Sequence, residues 1–178
     1  MLLLLVTCVV LTTAQQCQKT AMEEENFDPE KFAGLWYPGL MSPIVSNVFD
    51  NFSVNFELSS DGNSVIVTNS LNILGLHIPI TEEADWDTRE GNANFTVTFK
   101  GFLNFVFSGT YVITCTDYTS YAIVHGCTRL FPDVVYILYR EEHPDRTTVD
   151  ASKEQLKTCA GDVDIVVDQS VVLDYTEK

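Results

Sequence analysis

The chain has 178 residues, 25 of them acidic against 10 basic, and a formal charge of −15 at pH 7. A chain of this length buries one substantial core. So few Lys and Arg argue against nucleic acid or an anionic membrane surface as a partner, since both need clustered cations, and the acidity is read as solubility of a secreted protein in preference to a cation-binding role.

In chain order, the first element is MLLLLVTCVVLTTA, residues 1–14, an apolar run ending in small residues. It reads as a secretory signal, although its start lacks Lys or Arg, and it is well short of the roughly 20 residues a spanning helix needs. No other segment could span a bilayer. The expectation is a secreted, extracellular protein whose single domain runs over 15–178. Removal of Cys8 leaves Cys17, Cys115, Cys127 and Cys159, an even number in an oxidising compartment, so two disulfides are expected. None stands in a CxxC pair, and His77, His125 and His143 are scattered, so neither a metal nor a cofactor is expected. The sequons at Asn51 and Asn94 are expected to be glycosylated and to face solvent.

Next comes NFDPEKFAGLWYPG, residues 26–39, a short acidic turn capped by Asp28 that leads into a strand carrying Trp36. Strand-like stretches follow one another over 35–42, 49–58, 64–70, 76–82, 93–100, 102–115, 120–127, 133–140 and 163–167. One longer helix is expected over 150–159, capped by Asp150 and stopped by Gly161.

Alternation orients the strands. Phe52, Val54, Phe56 and Leu58 oppose Asn51, Ser53, Asn55 and Glu57, and Phe95, Val97 and Phe99 oppose Asn94, Thr96, Thr98 and Lys100. Both sequons then fall on the outer face. Over 102–113 the apolar set is Leu103, Phe105, Phe107, Tyr111 and Ile113. Three strands that turn large aromatics inward, with too few strands for two sheets, predict one antiparallel sheet closed on itself, about eight strands round, with room for side chains or one small ligand.

Three separated motifs make the chain resemble the lipocalins, in particular the extracellular arthropod type that includes bilin-binding proteins, crustacean pigment carriers and cockroach allergens. NFDPEKFAGLWY is similar to the family's G-x-W signature, TDYTSYA (116–122) to its T-D-Y-x-x-Y turn, and Arg140 after VVYILY to the arginine that ends the eighth strand. The resemblance implies an all-β, eight-stranded up-and-down barrel with a C-terminal helix packed outside and an apolar cavity open at one end. It implies that Gly34, Trp36 and Arg140 close the other end, with Arg140 stacked on the indole and Gly34 allowing close backbone approach beneath it.

The resemblance also implies a bridge from the end of the seventh strand to a cysteine ahead of the NFD segment, which here is Cys17–Cys127. Hairpin register sets residue 115 opposite about 122 and leaves Cys127 roughly 17 Å further on, which excludes Cys115–Cys127. Cys115–Cys159 follows by elimination, while the crossed pairing of Cys17 with Cys115 and Cys127 with Cys159 stays open.

Phe52, Val54, Phe56, Phe95, Val97, Phe99, Phe105, Phe107 and Tyr111 are the candidate lining, serving as core near the plugged end and as ligand contacts near the mouth. Such a lining suits a flat or elongated apolar molecule, with few charges inside to select an anion. Bilin, carotenoid, retinoid, sterol, fatty acid and pheromone classes all fit, and a homo-oligomer is compatible with the fold. His77, in LGLHIPI, is read as a mouth or surface residue in preference to a haem ligand. Catalysis is not expected: the one chemical reading is a thiol-dependent isomerase, because strict alternation points Cys115 inward, and no nucleophile–base set accompanies it. A protein antagonist acting through the loops, as in salivary lipocalins, is the other binding reading.

Overall fold

The computed structural model describes residues 27–42, 50–60, 64–73, 76–85, 93–100, 104, 107–128, 130–131, 134–161 and 166–167; for 50–52, 70–73, 76–78, 82–83, 85 and 166–167 only the backbone is described. The signal segment 1–14, Cys17 and Phe105 lie outside the described residues. Among the described residues no helix is long and apolar enough to cross a membrane.

A one-turn helix, α1 (Pro29–Phe32), opens the fold, capped by Asp28, whose carboxylate accepts from the amides of Glu30 and Lys31. The strands are β1 (Gly34–Met41), β2 (Asp50–Leu58), β3 (Val65–Ile73), β4 (Leu76–Asp85), β5 (Asn94–Val97), β6 (Gly109–Thr116), β7 (Tyr121–Thr128) and β8 (Val134–Tyr139). Helix α2 (Arg146–Ala160) follows, then a short β9 (Val166–Val167). Each of β1 to β8 pairs antiparallel with the next, and β1 pairs with both β2 and β8, so the sheet closes into an eight-stranded barrel. β9 adds to β1 at Leu40 and Met41.

Two apolar clusters result, separated by the sheet. The interior cluster runs from Phe27, Phe32 and Trp36 at one end through Phe56 and Phe95 to Phe99 and Phe131 at the other. The second lies between α2 and the outer face of β1, β7 and β8, where Leu40, Ile123, Val135, Ile137 and Tyr139 meet Val149, Leu156 and Ala160. Tyr139 and Ser152 share a buried hydrogen bond of 2.8 Å across this contact, and Ser152 donates on to the Val149 carbonyl.

The sequence expectations need three corrections. Helix α2 starts four residues earlier than expected, on Asp145, whose carboxylate accepts from the Thr148 amide at 2.7 Å. The β-branched run Thr147, Thr148 and Val149 disguises that first turn, because such residues favour helix poorly. Of the stretch 102–115 the described strand begins only at Gly109 and runs to Thr116; the described residues Asn104, Phe107 and Ser108 lie off it. Finally, Cys115 does not point inward. The register of β6 on β7 steps from Ile113↔Val124 to Cys115↔Ile123, so Thr114 is the extra residue of a β-bulge. Its hydroxyl is satisfied by the Ile123 carbonyl. The bulge reverses the alternation and turns Cys115 onto the α2 cluster.

There Cys115 forms a disulfide with Cys159, Cα to Cα 5.9 Å, and the crossed pairing is not formed. Cys127 is also disulfide-bonded. The Cys115–Cys159 bridge closes a loop of 44 residues, which in chain-entropy terms stabilises the fold by about 4 kcal/mol. Replacing both cysteines with Ser is expected to lower the unfolding free energy by about 2–4 kcal/mol in urea titrations, with a fall in the midpoint.

Candidate functional site

One end of the barrel is shut by side chains drawn from four parts of the chain. Trp36 is wholly buried, and its indole Nε1–H donates to the Phe32 carbonyl at 2.8 Å. Phe32 stacks on the indole at 5.1 Å between centroids and meets Phe56 edge-on, also at 5.1 Å. The Arg140 guanidinium lies over the same indole, 3.7 Å from its centroid. Its nitrogens donate to four carbonyls: Nε to Tyr118 at 3.0 Å, Nη1 to Leu35 at 3.2 Å, and Nη2 to Lys31 at 2.8 Å and Phe32 at 3.1 Å. Such planar, multiply bonded seating suits guanidinium and not an ammonium.

The turn that presents the Tyr118 carbonyl is built by its own side chains. Asp117 Oδ1 accepts from the amides of Thr119, Ser120 and Tyr121, and Thr116 Oγ1 accepts from the Tyr118 amide while donating to the Tyr121 carbonyl. Tyr118 is thereby held at φ 66°, a left-handed conformation uncommon outside glycine. Its hydroxyl reaches back to accept from the Asp28 amide at 2.9 Å, which ties the turn to α1. Gly34 stands in this network for a reason other than the one expected. It adopts φ +107°, and a Cβ there would stand 3.0 Å from Arg140 Nη1, so the close approach comes from the guanidinium and not from a second backbone.

Beyond this plug the interior is apolar. Val54, Phe56, Phe95, Val97 and Phe99 are buried in the interior cluster, while Phe107 and Tyr111 pack against it and keep accessible surface. Phe56 meets Phe95 edge-on at 5.6 Å, Phe95 stacks on Tyr111 at 5.6 Å, and Phe99 meets Phe107 at 5.8 Å. Phe56 therefore belongs with the plug, and Phe99 and Phe107 lie away from it, where β5 leads into the β5–β6 connection. That connection is pinned by Ser108 Oγ, which accepts from the Phe99 amide at 2.7 Å, and by Asn104 Nδ2, which donates to the Phe99 carbonyl at 2.9 Å. The side chain of Phe52 lies outside the described residues, as does that of His77.

The structure adds wall residues that alternation missed. Val134, Tyr136 and Leu138 face the interior from β8, and Ala122 and Val124 from β7. Because β8 is buried on both faces, its sequence is apolar throughout and carries no period by which to tell them from Val135, Ile137 and Tyr139. Burial pushes the phenols of Tyr111 and Tyr136 upward, for Tyr111 with a lesser contribution from Tyr136 itself, so both stay protonated and neutral at physiological pH.

Among the described residues no group of His, Cys, Asp and Glu is placed to hold a metal ion. Cys115, with its sulfur in the bridge and its side chain against α2, offers no thiol to the interior. Asn94 is half-buried at the start of β5, flanked by the inward Phe95; the side chain of Asn51 lies outside the described residues.

No family model matches the chain. Rat apolipoprotein D is 30% identical over 176 residues, covering 93% of this chain and 90% of that protein. Among solved structures, insecticyanin from the tobacco hornworm Manduca sexta superposes with a TM-score of 0.67 at 18% identity over 85% of this chain and 84% of its own. The cockroach allergen Per a 4 does so with a TM-score of 0.60 at 21% identity over 91% and 88%.

The plug generates a direct expectation. Trp36→Ala should cost about 3–5 kcal/mol of stability in urea unfolding, and Arg140→Ala about 2 kcal/mol or more, since the cation–π contact alone is worth roughly 0.5–2 kcal/mol. Arg140→Lys is expected to recover little of the loss, and unchanged midpoints in all three variants would refute the plug.

Proposed function

The chain belongs to the lipocalin family, and on that premise we propose that it is a secreted protein that binds a small hydrophobic molecule inside the barrel and transports or sequesters it. The observation that carries this reading is the contrast between the two ends. The Trp36 end is sealed by stacked rings and a guanidinium bonded to four carbonyls, whereas among the described residues no such polar seal stands around Phe107 and Tyr111, which are partly buried on the same interior cluster. A barrel plugged at one end and lined with aromatic rings excludes water from its depth and admits an apolar guest from the other, recognising it by shape and burial. Val54, Val97, Phe99, Phe107 and Tyr111 are the contacts this reading assigns, with Phe52 and Phe105 proposed alongside them.

The name of the rat relative, an apolipoprotein, agrees with a lipid-like guest. Bilin, carotenoid, retinoid, sterol, fatty acid and pheromone classes are the candidate guests. The protein acts on them as a carrier and not as a catalyst. Extracellular residence fits the two bonded cysteines facing α2 and ending β7, with glycans proposed at Asn51 and Asn94.

A hydrophobic reporter dye is expected to bind the ligand-stripped protein at about one site with blue-shifted emission. Phe107→Asp should weaken it by roughly tenfold or more, because an unpaired charge in an apolar cavity is costly to desolvate. Thr98→Lys, at an exposed position beside the buried Phe99, should leave the affinity nearly unchanged. Equal weakening by both, or no binding by the wild type, would overturn the carrier reading in favour of surface recognition of another protein.

A further inference from the structure

We propose that Tyr111 reads a hydrogen-bond-donating, uncharged end group on the guest, so that the barrel selects neutral hydroxyl-bearing apolar molecules over carboxylates; this rests on the carrier reading above. Tyr111 stands on β6 with its ring stacked on Phe95, 17° from parallel, and 6.5 Å from the ring of Tyr136 on β8. The intervening strand makes room for it. Gly126 on β7 is paired with Tyr111, and a Cβ there would stand 3.0 Å from the tyrosine ring.

The phenol hydroxyl donates to the Phe107 carbonyl at 2.9 Å. A neutral phenol has one proton to give, so this bond leaves the oxygen with lone pairs alone. It is an acceptor, on a ring packed against the interior cluster and only partly buried. A group that meets it must bring a proton: a hydroxyl or an amide N–H does, whereas an ester or a carboxylate brings only further lone pairs.

Charge points the same way. Lys31, Lys100 and Arg146 are exposed, Lys153 and Lys157 ride on α2, and Arg140 is committed to four carbonyls at the plugged end. These are all the described cations; Lys19, Arg89, Arg129 and Lys178 lie outside the described residues. Both interior phenols are neutral. A carboxylate entering this wall would shed its water without gaining a cation.

The test uses three fluorescent conjugated polyenes that share one carbon skeleton and end in an alcohol, a methyl ester or a carboxylate, titrated into the ligand-stripped protein at neutral pH. The alcohol is expected to bind roughly fivefold tighter than the ester, the worth of about one hydrogen bond, and at least about tenfold tighter than the acid. Tyr111→Phe should bring the alcohol down to the affinity of the ester while leaving the ester unchanged. An acid that binds the wild type as tightly as the alcohol overturns the proposal, as does an alcohol-to-ester ratio that survives Tyr111→Phe. Failure of all three to bind overturns the carrier reading, and this inference with it.

Discussion

The guanidinium of Arg140, seated on Trp36 and bonded to carbonyls of α1, β1 and the β6–β7 turn, is the contact on which the rest of the barrel depends. Closing a sheet disposes of its edges but leaves two open ends, and an end filled by rings alone would take the guanidinium donors from the Lys31, Leu35 and Tyr118 carbonyls. Arginine suits the task because a single planar group covers a ring face and serves several acceptors at once. The burial of Phe27, Phe32, Trp36 and Phe56 follows from that closure.

Two bulges then divide the labour of the strands. β1 shifts register between Pro38 and Leu40, so that Trp36 and Met41 face the interior while Leu40 faces α2. β6 does the same at Thr114, which sends Ile113 inward and Cys115 outward. An unbulged strand keeps every second residue on one face. One extra residue lets the same strand line the interior at one level and anchor the helix at another.

What was legible in the sequence is what local chemistry decides. Phe95, Val97 and Phe99 alternate with exposed Thr96, Thr98 and Lys100 because one side of that segment is wet, and a slip of one residue would reverse them all. The Asp28 cap and the stop at Gly161 were readable for the same reason. The Thr114 bulge was not, since an inserted residue leaves no mark in composition. Nor was the role of Gly34, which depends on a guanidinium from the far end of the chain, or the inward set of β8, which is apolar on both faces. Tyr111 was visible as an aromatic on the inner phase. That its proton is committed to Phe107 depends on how the β5–β6 connection folds back.

Helix α2 backs only part of the wall. It is fastened to β6 by the Cys115–Cys159 bridge and to β8 through Tyr139 and Ser152, and its apolar residues cover β1, β7 and β8. Among the described residues no helix covers β2 to β5, whose outer positions include exposed Glu57, Pro79, Thr81 and Thr96. Helix α2 thus hoops the side of the wall it backs, while the described outer positions of β2 to β5 are held in register by strand pairing, a division that makes one flank of the barrel a laminate of helix and sheet and the other a single ply.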